Sequence, residues 1–148
     1  MNIEKMIKAL YDKNAKEAYT VLLELEQVSD ANDILYNYFE EFNKMMHNEN
    51  SYIRVRGYRL LCKQAKWDKL NKINQIIDEI LNETEDEKPI AVRQKINALN
   101  DIAVNKKELN SKIKQKISGI NILKYKESMQ ELILKDVTKL LKLLENKI

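Results

Sequence analysis

Ile53-Arg54-Val55-Arg56 and Ile90-Ala91-Val92-Arg93 lie 37 residues apart in the chain (53 to 90) and share three of their four residues. The apolar residues that precede the two stretches also match, at an offset of 38, as Leu35 does with Ile73. These apolar residues have helical spacing. A helix, a short turn and a second helix therefore recur with a period of about 37 residues.

The whole chain divides into four such units, because its 148 residues are four times 37. Amphipathic spacing predicts eight helices, and short loops favour antiparallel pairs at about 1–29, 30–66, 67–104 and 105–148. One pair cannot bury its own apolar stripe, so neighbouring pairs are expected to stack on a shared core. The sequence thus predicts an all-α fold, an α-α superhelix (solenoid) forming a single compact domain.

Local signals predict where individual helices begin and end. We expect Ser29-Asp30 to end the second helix and a third helix to cover about 31–47. Ser51 is a suitable N-cap for the fourth helix, and a fifth is expected over about 68–82. Pro89 is placed in the first turn of the sixth helix, where proline is tolerated best.

Composition excludes several classes of protein. Two glycines are too few for a β-rich fold, and neither Gly57 nor Gly119 has a nearby glycine partner for a Rossmann or P-loop phosphate cradle. Gly119 is instead suited to end a helix. One cysteine and one histidine exclude an intrachain disulfide and a Cys/His zinc site.

The remaining reactive side chains form no convincing catalytic group. His47 is expected to sit as a cation at a helix end, and Cys62 to pack as a small buried hydrophobe. The pairs Glu40-Glu41 and Asp78-Glu79 diverge by about 100° on a helix. The acidic loop Glu83–Glu87 lacks EF-hand spacing. We therefore predict no catalytic, cofactor or metal site, and no enzyme activity.

One stretch carries a family resemblance. Pro89-Ile90-Ala91-Val92-Arg93, followed by Ile96, Leu99 and Ile102-Ala103, resembles HEAT-type (armadillo-type) repeats. A group of small bacterial HEAT-like proteins is similar to this chain in five short motifs, which here are Ala9-Leu10-Tyr11, Asn50–Arg56, Ala65–Asp68, Asp86–Ile90 and Lys124–Met129. Some members of that group are described as related to the SufB/SufD iron–sulfur assembly proteins. The resemblance implies a helical-repeat fold. The description of some members as SufB/SufD-related also implies one candidate function, an assembly factor of iron–sulfur metabolism.

The four arginines are confined to two predicted second helices, as Arg54, Arg56, Arg59 and Arg93. The resemblance to HEAT-like repeats implies that the arginine after valine lies inside the protein and bonds to acidic or carbonyl groups of the adjacent repeat. Arg56 and Arg93 match that position, and their candidate partners are Asp33, Asp68, Asp78 and Asp101. Arg54 and Arg59 lie off it and are freer to contact a partner.

The second helices also supply a candidate partner-binding face, made of Tyr52, Arg54, Tyr58, Arg59, Arg93 and Lys95. Tyrosine, tryptophan and arginine are the residue types enriched at binding hot spots. The alternative is that the tyrosines cover helix ends and that Trp67 packs under a turn between repeats. The leading prediction is a non-enzymatic scaffold that binds a protein or peptide on this face.

The distribution of charge points to an alternative function, binding of duplex DNA. The net charge of +3 is uneven: residues 1–50 carry 5 basic and 10 acidic side chains (−5), and residues 102–148 carry 11 and 5 (+6). Such a gradient can orient a partner, or it can be an ordinary solvated surface. Five lysines near the C-terminal end can supply phosphate contacts for duplex DNA, namely Lys106, Lys107, Lys112, Lys114 and Lys116.

The sequence also bears on location. We find no targeting segment and no apolar run long enough to span a membrane. A lone cysteine suits a reducing compartment. We therefore expect a cytoplasmic protein.

Overall fold

A computed structural model describes residues 2–145, which fold into helices with no β-strand among them. The all-α prediction is confirmed. The α-helices within these residues are α1 (Ile3–Ala9), α2 (Ala15–Ala31), α3 (Phe39–Met45), α4 (Ser51–Lys63), α5 (Lys72–Gln75), α6 (Ile77–Asn82), α7 (Pro89–Asn105), α8 (Asn110–Ser118) and α9 (Glu127–Glu145). The outermost ends of the first and fourth predicted pairs, residue 1 and residues 146–148, lie outside the described range.

The chain divides into two compact units between Trp67 and Asp68. The N-terminal unit contains α1 to α4, and the C-terminal unit contains α5 to α9. Short 3-10 segments precede α3, α8 and α9 and follow α4, at Ile34–Tyr38, Lys107–Leu109, Ile122–Lys124 and Gln64–Trp67 respectively.

In the N-terminal unit two salt bridges show the direction of α2 relative to α4. Arg59 Nη2 lies 2.7 Å from Glu26 Oε1, and Lys63 Nζ lies 3.0 Å from Asp30 Oδ1. Both pairs are separated by 33 residues (26 to 59 and 30 to 63). Because the offset is constant along the helices, α2 and α4 run parallel and in one register.

The helix α4 lies close to the end of α3 at Gly57. A Cβ there would overlap the side chain of Met45 and would lie 2.9 Å from both Met46 N and Phe42 O. Two of these neighbours are backbone atoms, which cannot move aside without shifting α3. The glycine therefore lets the two helices approach closely.

The C-terminal unit repeats the parallel arrangement. Asn74 of α5 donates to Glu108, in the 3-10 segment before α8, at 3.0 Å, and Lys112 of α8 donates to Asp78 of α6 at 3.3 Å. Both pairs are separated by 34 residues, so the first helices of the two pairs, α5–α6 and α8, run parallel.

The second helices, α7 and α9, start side by side, because the Tyr125 hydroxyl donates to the Asp86 carbonyl at 2.7 Å. Farther along both helices, Arg93 Nε lies 2.7 Å from Asp136 Oδ2. Both helices bury apolar side chains, among them Val92, Ile96 and Leu99 of α7 and Ile133 and Leu140 of α9.

Several predicted boundaries hold. Pro89 is the first residue of α7, and Gly119 is the C-cap of α8.

Three boundaries were wrong. The helix α2 continues through Ser29-Asp30 to Ala31, and a 3-10 segment replaces the first part of the predicted third helix. The N-cap of α4 is Asn50 and not Ser51, because the Asn50 side chain accepts from Tyr52 N at 2.9 Å and from Ile53 N at 3.2 Å.

The predicted fifth helix is two shorter ones. It begins at Lys72, where the Asp68 carboxylate accepts hydrogen bonds from Lys72 N at 2.9 Å and Ile73 N at 2.8 Å. It is interrupted at Ile76, whose φ of −117° and ψ of 18° are not helical.

Candidate functional site

Two of the predicted binding residues are completely buried. The side chains of Tyr58 and Lys95 occupy the same place in the 37-residue repeat (58 and 95), and each residue is 0% exposed. Lys95 Nζ lies 3.0 Å from Asp86 Oδ2 and donates to Glu83 O at 2.8 Å. Neither side chain presents surface to a partner.

The arginines largely bond within the chain. Arg54 is 9% exposed and donates to Glu49 O at 2.8 Å, which closes the turn before α4. Arg56 Nη1 donates to Leu10 O at 2.7 Å and to Asp12 O at 3.2 Å, beyond the end of α1.

Burial lowers the pKa of Arg56, although the charge of Asp12 opposes the shift. Arg93 bonds to Asp136, as described above. The partners of Arg56 and Arg93 are thus two carbonyl groups and Asp136, and not the four aspartates named as candidates.

Exposed apolar side chains gather on the face formed by α2 and α4. Tyr19 is 48% exposed, Leu23 40% and Tyr52 62%. The 33-residue register that joins Glu26 to Arg59 places Tyr19 level with Tyr52 and Leu23 level with Arg56. We call Tyr19, Leu23 and Tyr52 the aromatic patch.

Two guanidinium groups lie over the tyrosine rings of this patch. Arg59 Cζ lies 5.8 Å from the centre of the Tyr19 ring, and Arg56 Cζ lies 5.8 Å from that of Tyr52. Arg59 is itself fixed by two hydrogen bonds to Glu26, at 3.0 and 2.7 Å. Burial alone would lower the pKa of Arg59, but the hydrogen bonds of Glu26 and Tyr19 hold it above its usual value. The rings therefore lie against guanidinium groups that are themselves bonded within the protein.

Tyr19 and Leu23 were not predicted as site residues. A signal for them exists in the sequence, because Tyr19, Leu23, Glu26 and Asp30 have the same spacing as Tyr52, Arg56, Arg59 and Lys63. The sequence shows the equal spacing, but only the ion pairs show that the two series face each other.

Three of the five lysines predicted to contact DNA form ion pairs with carboxylates of the same unit. Lys106 forms a buried pair with Asp68, with 3.2 Å between Nζ and Oδ2, and Lys116 Nζ lies 3.0 Å from Glu85 Oε1. Lys112 pairs with Asp78, as noted above. Lys107 and Lys114 remain as exposed lysines without an ion pair in the described chain. The buried Lys106 is therefore not available for phosphate contacts.

Two carboxylates of the acidic loop Glu83–Glu87, those of Glu85 and Asp86, are paired with lysines. Glu85 accepts from Lys116 at 3.0 Å and from Lys124 at 2.7 Å. Burial alone would raise the pKa of Glu85, but its hydrogen bonds and ion pairs with Lys124 and Lys116 hold it below its usual range. Among residues 2–145 no cluster of three histidine, cysteine or acidic side chains is arranged to hold a metal ion.

The one cysteine and the one histidine of the sequence differ in exposure. Cys62 is buried in α4, as predicted, whereas His47 lies exposed just beyond α3. None of the helices in the described range combines the length and apolarity that crossing a membrane requires.

Comparison of the chain with protein-family models, with curated proteins and with solved structures found no match. The resemblance to HEAT-like proteins stays a prediction from the sequence motifs.

Proposed function

We propose that this protein is a non-enzymatic helical-repeat scaffold that binds a protein partner through the aromatic patch. The observation that carries the proposal is the exposure of Tyr19, Leu23 and Tyr52 on the face of two parallel helices. A HEAT-like superhelix forms its binding face in this way, from successive parallel second helices. Parallel α2 and α4 in one unit, and parallel α7 and α9 in the other, support that architecture.

The physical character of the patch favours a protein partner. Tyrosine offers a large amphipathic contact at a low cost in side-chain entropy, and here Arg56 and Arg59 already restrain the rings. A hot-spot side chain of this type contributes about 2 kcal/mol or more to binding, which is about 30-fold in Kd.

The disposition of the charged groups supports a scaffold role. Glu85, Asp86 and Asp68 each pair with a lysine of the same unit, so these carboxylates have structural partners. We propose the cytoplasm as the location, since a sequence with a single cysteine, Cys62, suits a reducing compartment.

The test is site-specific crosslinking. A photoreactive phenylalanine analogue replaces Tyr19, Tyr52 or, as the control, the exposed Leu123 of the C-terminal unit. We expect one partner to be crosslinked from positions 19 and 52 and not from position 123. Purified partner should then bind the double variant Tyr19→Ser/Tyr52→Ser at least about 30-fold more weakly than wild type.

The matched control for the binding step is Leu70→Ser/Leu123→Ser, which removes two exposed apolar side chains outside the patch. This variant should bind like wild type. Equal crosslinking from all three positions, or equal binding by both double variants, would refute the proposal.

A further inference from the structure

The helix α9 has one packed face and one open face. Its buried side chains, among them Ile133, Val137 and Leu140, belong to the core of the C-terminal unit. The opposite face carries Leu134, Lys135, Thr138, Lys139 and Lys142, all exposed. We call Lys135, Lys139 and Lys142 the lysine ridge.

The ridge is a straight line of charge. Its lysines are spaced i, i+4 and i+7, so they lie on one side of the helix over about 10 Å. A shallow groove of about 400 Å³ follows them and is lined by Glu131, Leu134, Lys135, Thr138, Lys139 and Lys142. The lysine stems and Leu134 make this groove apolar beneath its charged rim.

The ridge differs from the lysines of its unit that form ion pairs. Lys95, Lys106 and Lys116 are each paired with a carboxylate. The ridge lysines have no ion pair among residues 2–145. The nearest carboxylate in sequence, that of Asp136, accepts hydrogen bonds from Arg93 and Asn97.

We propose that the lysine ridge docks an acidic amphipathic helix of a partner protein. Carboxylates at helical spacing on the partner would meet the three ammonium groups, and an apolar residue between them would cover Leu134. The proposal does not depend on the aromatic patch, which lies in the other unit.

Glu131 favours a peptide over a uniformly anionic surface. It lines the same groove, one turn before Lys135, and would repel the phosphates of a duplex or of a lipid headgroup layer. A peptide helix can place a neutral or basic residue at that position and acidic residues at the others.

The test uses a fluorescein-labelled synthetic helix with glutamates at i, i+4 and i+7 flanking a leucine, measured by fluorescence anisotropy. Wild type should bind it, with an affinity that falls as salt rises. The triple variant Lys135→Gln/Lys139→Gln/Lys142→Gln should bind about tenfold more weakly, since three exposed charge pairs are lost.

The matched control is Lys69→Gln/Lys107→Gln/Lys114→Gln, which removes the same net charge from exposed lysines elsewhere in the unit. It should keep the wild-type affinity, and circular dichroism checks that both variants are folded. Tyr19→Ser/Tyr52→Ser should also keep it, which separates this proposal from the proposed function.

The proposal is overturned if wild type does not bind the helix, if both lysine triples weaken it equally, or if a peptide with scrambled glutamates binds as well. Tighter binding of random duplex DNA or of phosphatidylserine vesicles would likewise assign the ridge to a different class of partner.

Discussion

The N-terminal and C-terminal units use the same helical arrangement with different interior chemistry. Each has parallel helices joined by polar contacts at a constant offset, 33 residues in the first unit and 34 in the second. At the matched interior position the first unit places Tyr58 and the second places Lys95, which pairs with Asp86. The backbone pattern of the repeat therefore does not dictate whether its interior is neutral or ionic.

The turns show the same contrast. In the N-terminal unit Arg56 bonds to carbonyl groups at the end of α1, and Gly57 allows close contact of α3 with α4. In the C-terminal unit buried carboxylates close the turns by pairing with Lys95 and Lys106. The first unit thus combines a guanidinium bonded to carbonyl groups with close helix packing, whereas the second buries lysine–carboxylate pairs.

The largest effect is expected from breaking the buried ion pair. Asp86→Ala leaves the fully buried Lys95 without its carboxylate, and we expect a loss of about 3–5 kcal/mol in the free energy of unfolding. Urea unfolding followed by circular dichroism measures this. The double variant Asp86→Leu/Lys95→Met removes both charges and should recover much of the loss. A single variant as stable as wild type would show that the pair is not what holds this turn.

The second prediction concerns packing in the other unit. Gly57→Ala inserts a methyl group against backbone atoms of α3, and we expect a loss of about 1–3 kcal/mol in the free energy of unfolding. Gly119→Ala is the matched control, because a Cβ there meets only ordinary contacts at 3.6 Å. The control should stay within about 0.5 kcal/mol of wild type in the same urea experiment. Equal effects of the two alanines would contradict the close contact.

The smallest effect is a dependence on pH. The pKa of Glu85 is held below its usual range, so its contribution to stability is complete above the pKa of the unfolded chain. That contribution is lost as the pH falls through the lower, folded-state pKa. Glu85→Gln should therefore be less stable than wild type at neutral pH and should converge with it in acid. Thermal melting at a series of pH values tests this, and a constant difference at all pH values would rule it out.

The sequence was informative where the signal is local. Pro89 marks the start of α7 and Gly119 the end of α8, and the apolar residues named from helical spacing, such as Leu35, Ile73 and Ile96, are buried. It was misleading where a distant side chain decides the outcome. The last carbonyl groups of α2 accept from Lys66 and Trp67, more than 30 residues away, so Ser29-Asp30 does not end the helix.

The candidate site was harder to predict than the fold. Residues 53–58 of α4 are all buried, on every side of the helix. The helical spacing of apolar residues therefore does not separate a buried face from an exposed face in this stretch. Tyr52 and Tyr58 look alike as sequence features, yet one is 62% exposed and the other 0%. What separates them is the packing of neighbouring helices around α4.

The tryptophan that bonds to the end of α2 is also an intrinsic fluorophore. Trp67 is the single tryptophan, its indole N–H donates to Ser29 O at 2.6 Å, and Lys66 Nζ lies 5.1 Å from the ring centre. Its fluorescence emission therefore reports on one junction, the end of α2 against the segment Gln64–Trp67. A shift in emission wavelength would mark the opening of that junction without any dye or engineered probe.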